Sequence, residues 1–562
     1  MAEANPTSSS RGVLKAAGVM GVATLLSRLM GLIREQVFAF MFGAGNMTDA
    51  YNVAFRIPNL LRDLFAEGAM SASLVPIFTR TRVEEGEARA WRVAGLVFRV
   101  LFFTVSILAC LGMFFAPQLV SLYASAFKLV PGKFELTVKM TRLMFPYFPL
   151  VALAAAFMGI LNACGVFFLP AFASALFNIT SVLVGVACAV SISHWGGPYG
   201  IHPIVGMALG VTAGGFVQAL CQLPALYKAG YRWQKKLPVD PRWSRDPRLR
   251  RMLWMMVPGT VGLAATQVNL LVNTVLATSQ GTGAVSWLNY AFRLMQFPIG
   301  IFGVSLAAAT LPKVSLQWAN RDIKGVSETL AHSLKSVFAI NLPASAGLAF
   351  LGYPIIAMIF EYGRFHPEDT RATAMALAMY SIGLSAYSAV KVLVPACYAL
   401  GNTRLPVISS CLAVGVNIAL NMLMVKPFGY WGLALGTSIA AIFNGMFLIG
   451  AIHKLITQNG GEFPLWPVFK SFLEYLVVAL VMGTICYLSQ IVLKICLSDS
   501  FFLYHFGRVG LFLSRGMRMA VLLIEGGGFI ILAARVLHLN EATEVIDLFT
   551  EKLRNKLRRN RT

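Results

Sequence analysis

Charged residues are scarce in this sequence. Asp, Glu, Lys and Arg make up 13% of its 562 residues, where an average soluble domain carries about 25%. With 57% of the chain apolar, that shortage excludes an ordinary solvated surface, since a soluble fold would have to bury nearly every element on all sides. No Walker A sequence, no HExxH and no GxSxG occurs, which leaves ATP hydrolysis and familiar hydrolase chemistry without a seat. The eight cysteines, at 110, 164, 188, 221, 397, 411, 486 and 496, stand singly without CxxC spacing and read as small apolar packing residues. The seven histidines lie far apart, so no metal site is expected. No small-residue cleavage site follows the first apolar stretch, and the first span is expected to stay in the mature protein.

What is present is apolar sequence in long runs. Segments of about 20 residues fit a bilayer core, and such runs lie near 14–42, 50–78, 92–116, 136–163, 168–192, 204–228, 252–279, 284–312, 326–352, 372–399, 405–425, 430–453, 467–494 and 516–537. The expected fold is therefore an all-α polytopic membrane protein of about fourteen transmembrane helices. Its net charge of +23 collects in alternate connections: Arg80 to Arg92, Lys228 to Arg251, Lys313 to Lys324, Arg404, Lys454 to Lys470, and the tail from Lys552 to Arg561. The positive-inside rule makes that side, and both termini, cytoplasmic. No aromatic interleaving accompanies these loops, so nucleic acid is not an expected partner. The segment 355–365, with Tyr362 and Arg364, is expected along the outer interface.

Two stretches of the chain echo each other. Asn52 to Arg56 (NVAFR) answers Asn289 to Arg293 (NYAFR), and Val75-Pro76 answers Leu311-Pro312. Gly165-xxx-Leu169-Pro170 answers Gly401-xxx-Leu405-Pro406, and Gly206 to Gly210 (GMALG) answers Gly432 to Gly436 (GLALG). Six spans per unit make these parallel repeats, followed by two C-terminal helices. The implied organisation is a first lobe at 1–230, a basic cytoplasmic linker at 231–251, a second lobe at 252–455, two further spans at 456–540 and a basic tail at 541–562. Such a duplication suits an alternating-access carrier with its substrate between the halves.

Charges inside spans cost roughly 2.5 to 3.5 kcal/mol each on insertion scales, so each needs a reason. Span one carries Arg28 and Arg34, and span two carries Arg56, Arg62, Asp63 and Glu67. Span eight adds Arg293 and span ten Lys391. Asn52, Arg56, Asn59, Asp63 and Glu67 recur at helical spacing and form one polar stripe. Balanced only by Asp49, Asp63 and Glu67, a chamber shared by these basic groups stays net positive and attracts an anion. The planar guanidinium fork suits a diphosphate.

The run Ser27 to Arg34 (SRLMGLIR), then Phe42 to Gly45 (FGAG), Thr48 to Ala50 (TDA), Pro58 to Arg62 (PNLLR) and Phe65 to Ala69 (FAEGA), resembles the MurJ (MviN) lipid II flippases of the multidrug, oligosaccharidyl-lipid and polysaccharide exporter superfamily. The likeness continues through Tyr290 to Pro298, Lys391 to Pro395 and Gly401 to Pro406, over nearly the whole chain. It implies a bacterial inner-membrane transporter, not an enzyme, working as a monomer. Its cargo would be lipid II, the undecaprenyl-diphosphate-linked disaccharide-pentapeptide of peptidoglycan synthesis, with the last two helices grooved for the lipid tail. Carried over by position, Arg28, Arg34, Arg62 and Arg293 would bind the head group, while Asp49, Glu67 and Lys391 would gate or balance charge. Gln296 stands where some relatives carry Glu.

The resemblance further implies a sodium ion at Asn273, Asn417, Asn421, Leu433 and Thr437. Here neutral amides replace the carboxylates that would balance the ion, so hydrogen bonds between helices are the expected role, and no cofactor is expected. Two other cargoes fit the residues less well: another polysaccharide lipid, or a drug exported by cation coupling, which a basic chamber would repel.

Overall fold

The computed structural model describes residues 6–64, 69–196, 200–232, 267–544 and 547. Glu67, most of the basic linker, the first part of the seventh span and nearly all of the basic tail lie outside them. Among the described residues every regular element is helical. The chain divides into two compact units, Met1–Ser286 and Trp287–Thr562.

In the first unit α1 (Pro6–Phe42) leads to α2 (Asn46–Arg62), α3 (Ala69–Glu85), α4 (Glu87–Phe114) and the short α5 (Ala116–Ala124). Then come α6 (Lys133–Met144), α7 (Tyr147–Ala163), α8 (Phe168–Trp195), α9 (Ile204–Leu220), α10 (Leu223–Lys228) and α11 (267–278). The helix α12 (Ala284–Pro298) begins at the boundary. The second unit continues with α13 (Val304–Ala319), α14 (Ile323–Phe350), α15 (Gly352–Phe360), α16 (Pro367–Ser381), α17 (Leu384–Ala399), α18 (Arg404–Phe428) and α19 (Tyr430–Gln458). Two long helices, α20 (Leu465–Cys496) and α21 (Asp499–Val536), follow.

The duplication read from short motifs reappears in the helices. α4 and α14 are both 28 residues long, and each hands over to a 9-residue helix, α5 or α15. Each next span is broken in two, α6 with α7 and α16 with α17. The second span of each set carries a π turn, at 63–64 and at Ile299–Gly303. The Gly-xxx-Leu-Pro motif is a helix junction: Gly165 and Gly401 close α7 and α17 at φ 80° and 75°, a conformation that favours glycine, and the proline sits in the first turn of the next helix.

Nine helices among the described residues are long and apolar enough to cross a bilayer, eleven if each of two bent pairs counts as one span. One of those pairs, α14 with α15, bends by 72°. The expected spans left over are the first, second and seventh. The first carries Arg28, Arg34 and Glu35 within its apolar run; the second is split into α2 and α3 of 17 residues each; the seventh runs partly outside the described residues. Pro58 inside α2 removes a ladder donor close to the break. Side chains such as Phe103 at 65%, Ile107 at 61% and Leu423 at 71% exposure show that the apolar surface faces outward, which only lipid makes stable.

The compact boundary falls later than the repeat boundary expected at 230. α11 packs with the first unit, where the Thr278 hydroxyl lies 3.5 Å from the Tyr123 carbonyl and Arg56 reaches Thr274. That unit is centred on Phe38, Tyr51, Met144, Tyr147 and Val211, and the second on Leu330, Leu334, Leu448, Ile452 and Tyr475.

The GMALG and GLALG motifs lie on α9 and α19 and explain their helix pairs. A Cβ at Gly206 or Gly210 would overlap the α8 backbone, and one at Gly432 would overlap the Met424 carbonyl of α18. Small residues at these seams bring backbones together where no hydrophobic effect between helices is available. Gly210→Leu is expected to lower the thermal unfolding midpoint in detergent, at an overpacking cost of about 1–3 kcal/mol or more, while Gly415→Ala, with open space around it, leaves the midpoint unchanged.

Candidate functional site

Arg34 lies in the last turns of α1, where that helix packs on α8. It is 6% exposed, and its guanidinium donates to Asn178 Oδ1 and to Glu35 Oε1, each at 3.0 Å. Asn178 in turn donates to the Ser27 and Ser174 carbonyls, which fixes the orientation of its oxygen toward Arg34. The Phe55 and Phe177 rings both lie 5.8 Å from the guanidinium carbon. These contacts hold the fork without using all its N–H donors. Glu35 and Asn178 were not singled out from sequence; an acid next to a buried arginine was a usable signal, whereas Asn178 is 144 residues away.

Arg62, at the end of α2, donates to Asp63 Oδ1 at 2.7 Å and to the Tyr147 hydroxyl at 3.1 Å. Tyr147 packs at a tilt against both Phe55 and Phe177, with centroids 5.9 and 5.4 Å away. Arg34 and Arg62 thus flank one aromatic cluster. The stripe continues along α2: Arg56 donates to Thr274 Oγ1 at 2.8 Å, and the Asn52 amide to Ser286 Oγ at 3.3 Å. Arg28 is half-buried, six residues before Arg34, so on an ideal helix it points about 120° away.

Asp49, for which a gating or charge-balancing role is expected, has its own set of partners. Fully buried, it pairs with Lys133 at 3.1 Å and accepts from the Gly283 and Ser286 backbone N–H groups at 2.8 and 3.1 Å and from the Ser286 hydroxyl at 2.7 Å. Lys133 also donates to Asn46 Oδ1 and lies 4.0 Å from the Phe127 ring centre. The carboxylate therefore ties α2 to α6 and caps the start of α12, where a helix N-terminus welcomes negative charge. With Asp49 matched by Lys133, Arg28, Arg34, Arg56 and Arg62 outnumber Glu35 and Asp63, the carboxylates next to Arg34 and Arg62, and positive charge remains in surplus.

In the second unit Arg293 is half-buried on α12, one turn before the exposed Gln296, and Lys391 is exposed on α17. Asn417 and Asn421 are buried one turn apart on α18, with the Asn421 amide donating to Asn417 Oδ1 at 2.9 Å. The Thr437 hydroxyl donates to the Leu433 carbonyl at 2.6 Å. Two of the oxygens suggested for sodium are thus already accepting hydrogen bonds, and the set contains no carboxylate. Asn273, also suggested for that site, is half-buried on α11 in the first unit.

The profile of the family described as "Lipid II flippase MurJ" matches residues 38–507. A relative from Burkholderia cenocepacia, named lipid II flippase MurJ, is 37% identical over 435 residues, covering 77% of this chain and 82% of its own. A solved structure described as lipid II flippase MurJ in an inward closed conformation superposes with a TM-score of 0.72 at 25% identity, over 92% of this chain and 99% of that one. An inward-facing multidrug transporter of the MATE family matches at a TM-score of 0.63 and 15% identity, over 78% of this chain and 99% of that one, a likeness of fold alone. Sequence and helix order agree, and this chain belongs to the MurJ lipid II flippase family.

Proposed function

We propose that the chain is a multi-pass protein of a bacterial inner membrane that flips lipid II from the inner to the outer leaflet by alternating access, both termini lying in the cytoplasm. The observation that carries this reading is an arginine-rich surplus of positive charge on α1 and α2 of a flippase-family chain, with Arg34 and Arg62 held beside one aromatic cluster. The Arg34 guanidinium, positioned by Asn178 and Glu35, keeps donors over for phosphate oxygens, and the diphosphate of the cargo supplies negative charge to match the surplus. Arg28, Arg34, Arg62 and Arg293 take the head group in this reading. The surplus disfavours a cationic drug as cargo. No ATP is consumed, and the protein works as a monomer without nucleic acid.

In cells depleted of their own lipid II flippase, Arg293→Ala is expected to be inserted normally yet fail to sustain growth, with lipid II accumulating in the inner leaflet. Normal growth on that variant would remove Arg293 from the proposal. Because the Asn417, Asn421 and Thr437 set contains no carboxylate, replacing sodium by choline in proteoliposomes should leave the rate of lipid II translocation unchanged. A rate that falls with sodium would restore the site.

A further inference from the structure

The stretch between the last two expected spans, 495–515, reads from hydropathy as a connection, but it folds into a helical hairpin. α21 is interrupted at Gly507, whose φ of 59° and ψ of −150° no L side chain adopts comfortably. Residues 499–506 form one arm, and the rest of α21 descends from Arg508 as the other. The arms lie side by side. At the base, Asp499 accepts from Ser514 at 3.0 Å and pairs with Arg515 at 3.3 Å and with Arg518. Toward the tip Gly510 sits so close that a Cβ would overlap the Phe502 carbonyl and the Phe506 Cβ.

The base is fixed to the rest of its unit. Arg515, 9% exposed, donates to Glu361 Oε1 at 2.6 Å and to the Ala357 carbonyl at 2.7 Å, joining the hairpin to the end of α15. The tip is covered by nothing among the described residues: Phe501 is 55% exposed, Tyr504 85%, Phe506 62%, Val509 69% and Phe512 50%. Exposed apolar side chains recur at helical spacing from the tip down α21, at Val509, Phe512, Leu513, Met517, Val521 and Ile524, and Ile495 at the end of α20 is 76% exposed. Arg508, exposed beside the tip, and Tyr504 and His505 supply polar ends of the kind that rest among head groups.

We propose that this hairpin is an interfacial anchor, its aromatic tip lying at the boundary between head groups and acyl chains of the leaflet opposite the basic loops. The continuity with lipid-facing helices selects phospholipid as the occupant. The proposal depends on the chain spanning the membrane, and not on which cargo it carries.

The test is site-directed spin labelling of the full chain, cleared of native cysteines, in phosphatidylethanolamine and phosphatidylglycerol vesicles. A nitroxide at Tyr504→Cys should be more accessible to oxygen than to a water-soluble nickel chelate, as at the lipid-facing Val477→Cys and unlike the loop position Asn459→Cys. Preference for the nickel chelate would place the tip in water and overturn the proposal. Inaccessibility to both would overturn it in favour of a protein contact. Gly510→Leu, which forces the arms apart, should shift the Tyr504 label toward the aqueous pattern; Phe501→Cys read in the unaltered hairpin gives a second position should Gly510→Leu not fold. Lost translocation with an unchanged label would count against the cargo reading alone.

Discussion

Arg34→Ala is expected to abolish support of growth in a flippase-depleted cell and to reduce the folded yield. Two effects are mixed in that result. Removing the guanidinium takes from Glu35 its ion pair with Arg34 and from the Asn178 oxygen its Arg34 donor, and breaking a buried pair in this way costs about 3–5 kcal/mol. The double variant Arg34→Ala with Glu35→Gln separates them, since it removes both charges together. Folded yield should then recover while translocation stays lost. If translocation recovers as well, Arg34 only props the helix pair, and the binding role assigned to it is wrong. Arg34→Lys adds a finer reading: one ammonium cannot reproduce the fork that meets Asn178 and Glu35 together, so activity should stay far below that of the native chain.

The second large effect belongs to Asp49. Asp49→Ala leaves the Lys133 ammonium buried without a partner and uncaps the Gly283 and Ser286 N–H groups, again a loss of about 3–5 kcal/mol. Pairing it with Lys133→Met removes the stranded charge and should restore most of the stability. The start of α12 would still lack its cap. Hydrogen exchange at 283–288 should therefore rise several-fold in the double variant even where its unfolding midpoint is near native. Unchanged exchange there would show that the carboxylate does not fasten α12.

The span order and the internal duplication were legible because hydropathy and glycine spacing are local signals. GMALG and GLALG could be paired by eye, and both occupy close helix seams. The polar stripe on α2 was legible for the same reason. What local patterns cannot carry is the identity of a partner far along the chain. Asp49 is grouped with the arginines by charge and by the family resemblance, and neither signal points to Lys133, 84 residues away, with which the structure pairs it. The hairpin at the start of α21 was missed because an apolar run interrupted by Gly507 and Arg508 looks like a short connection until Asp499 is seen to bond back to Arg515. Glu35 is the avoidable miss, since it stands next to the arginine it neutralises.

The glycine seams have a mechanical meaning. Where main chain rests on main chain there are no rotamers to exchange and little room to slide, so α8 with α9 and α18 with α19 behave as stiff planks. Any deformation during a working cycle must then be absorbed elsewhere, at places whose ladders are already loosened, such as the π turns at 63–64 and Ile299–Gly303.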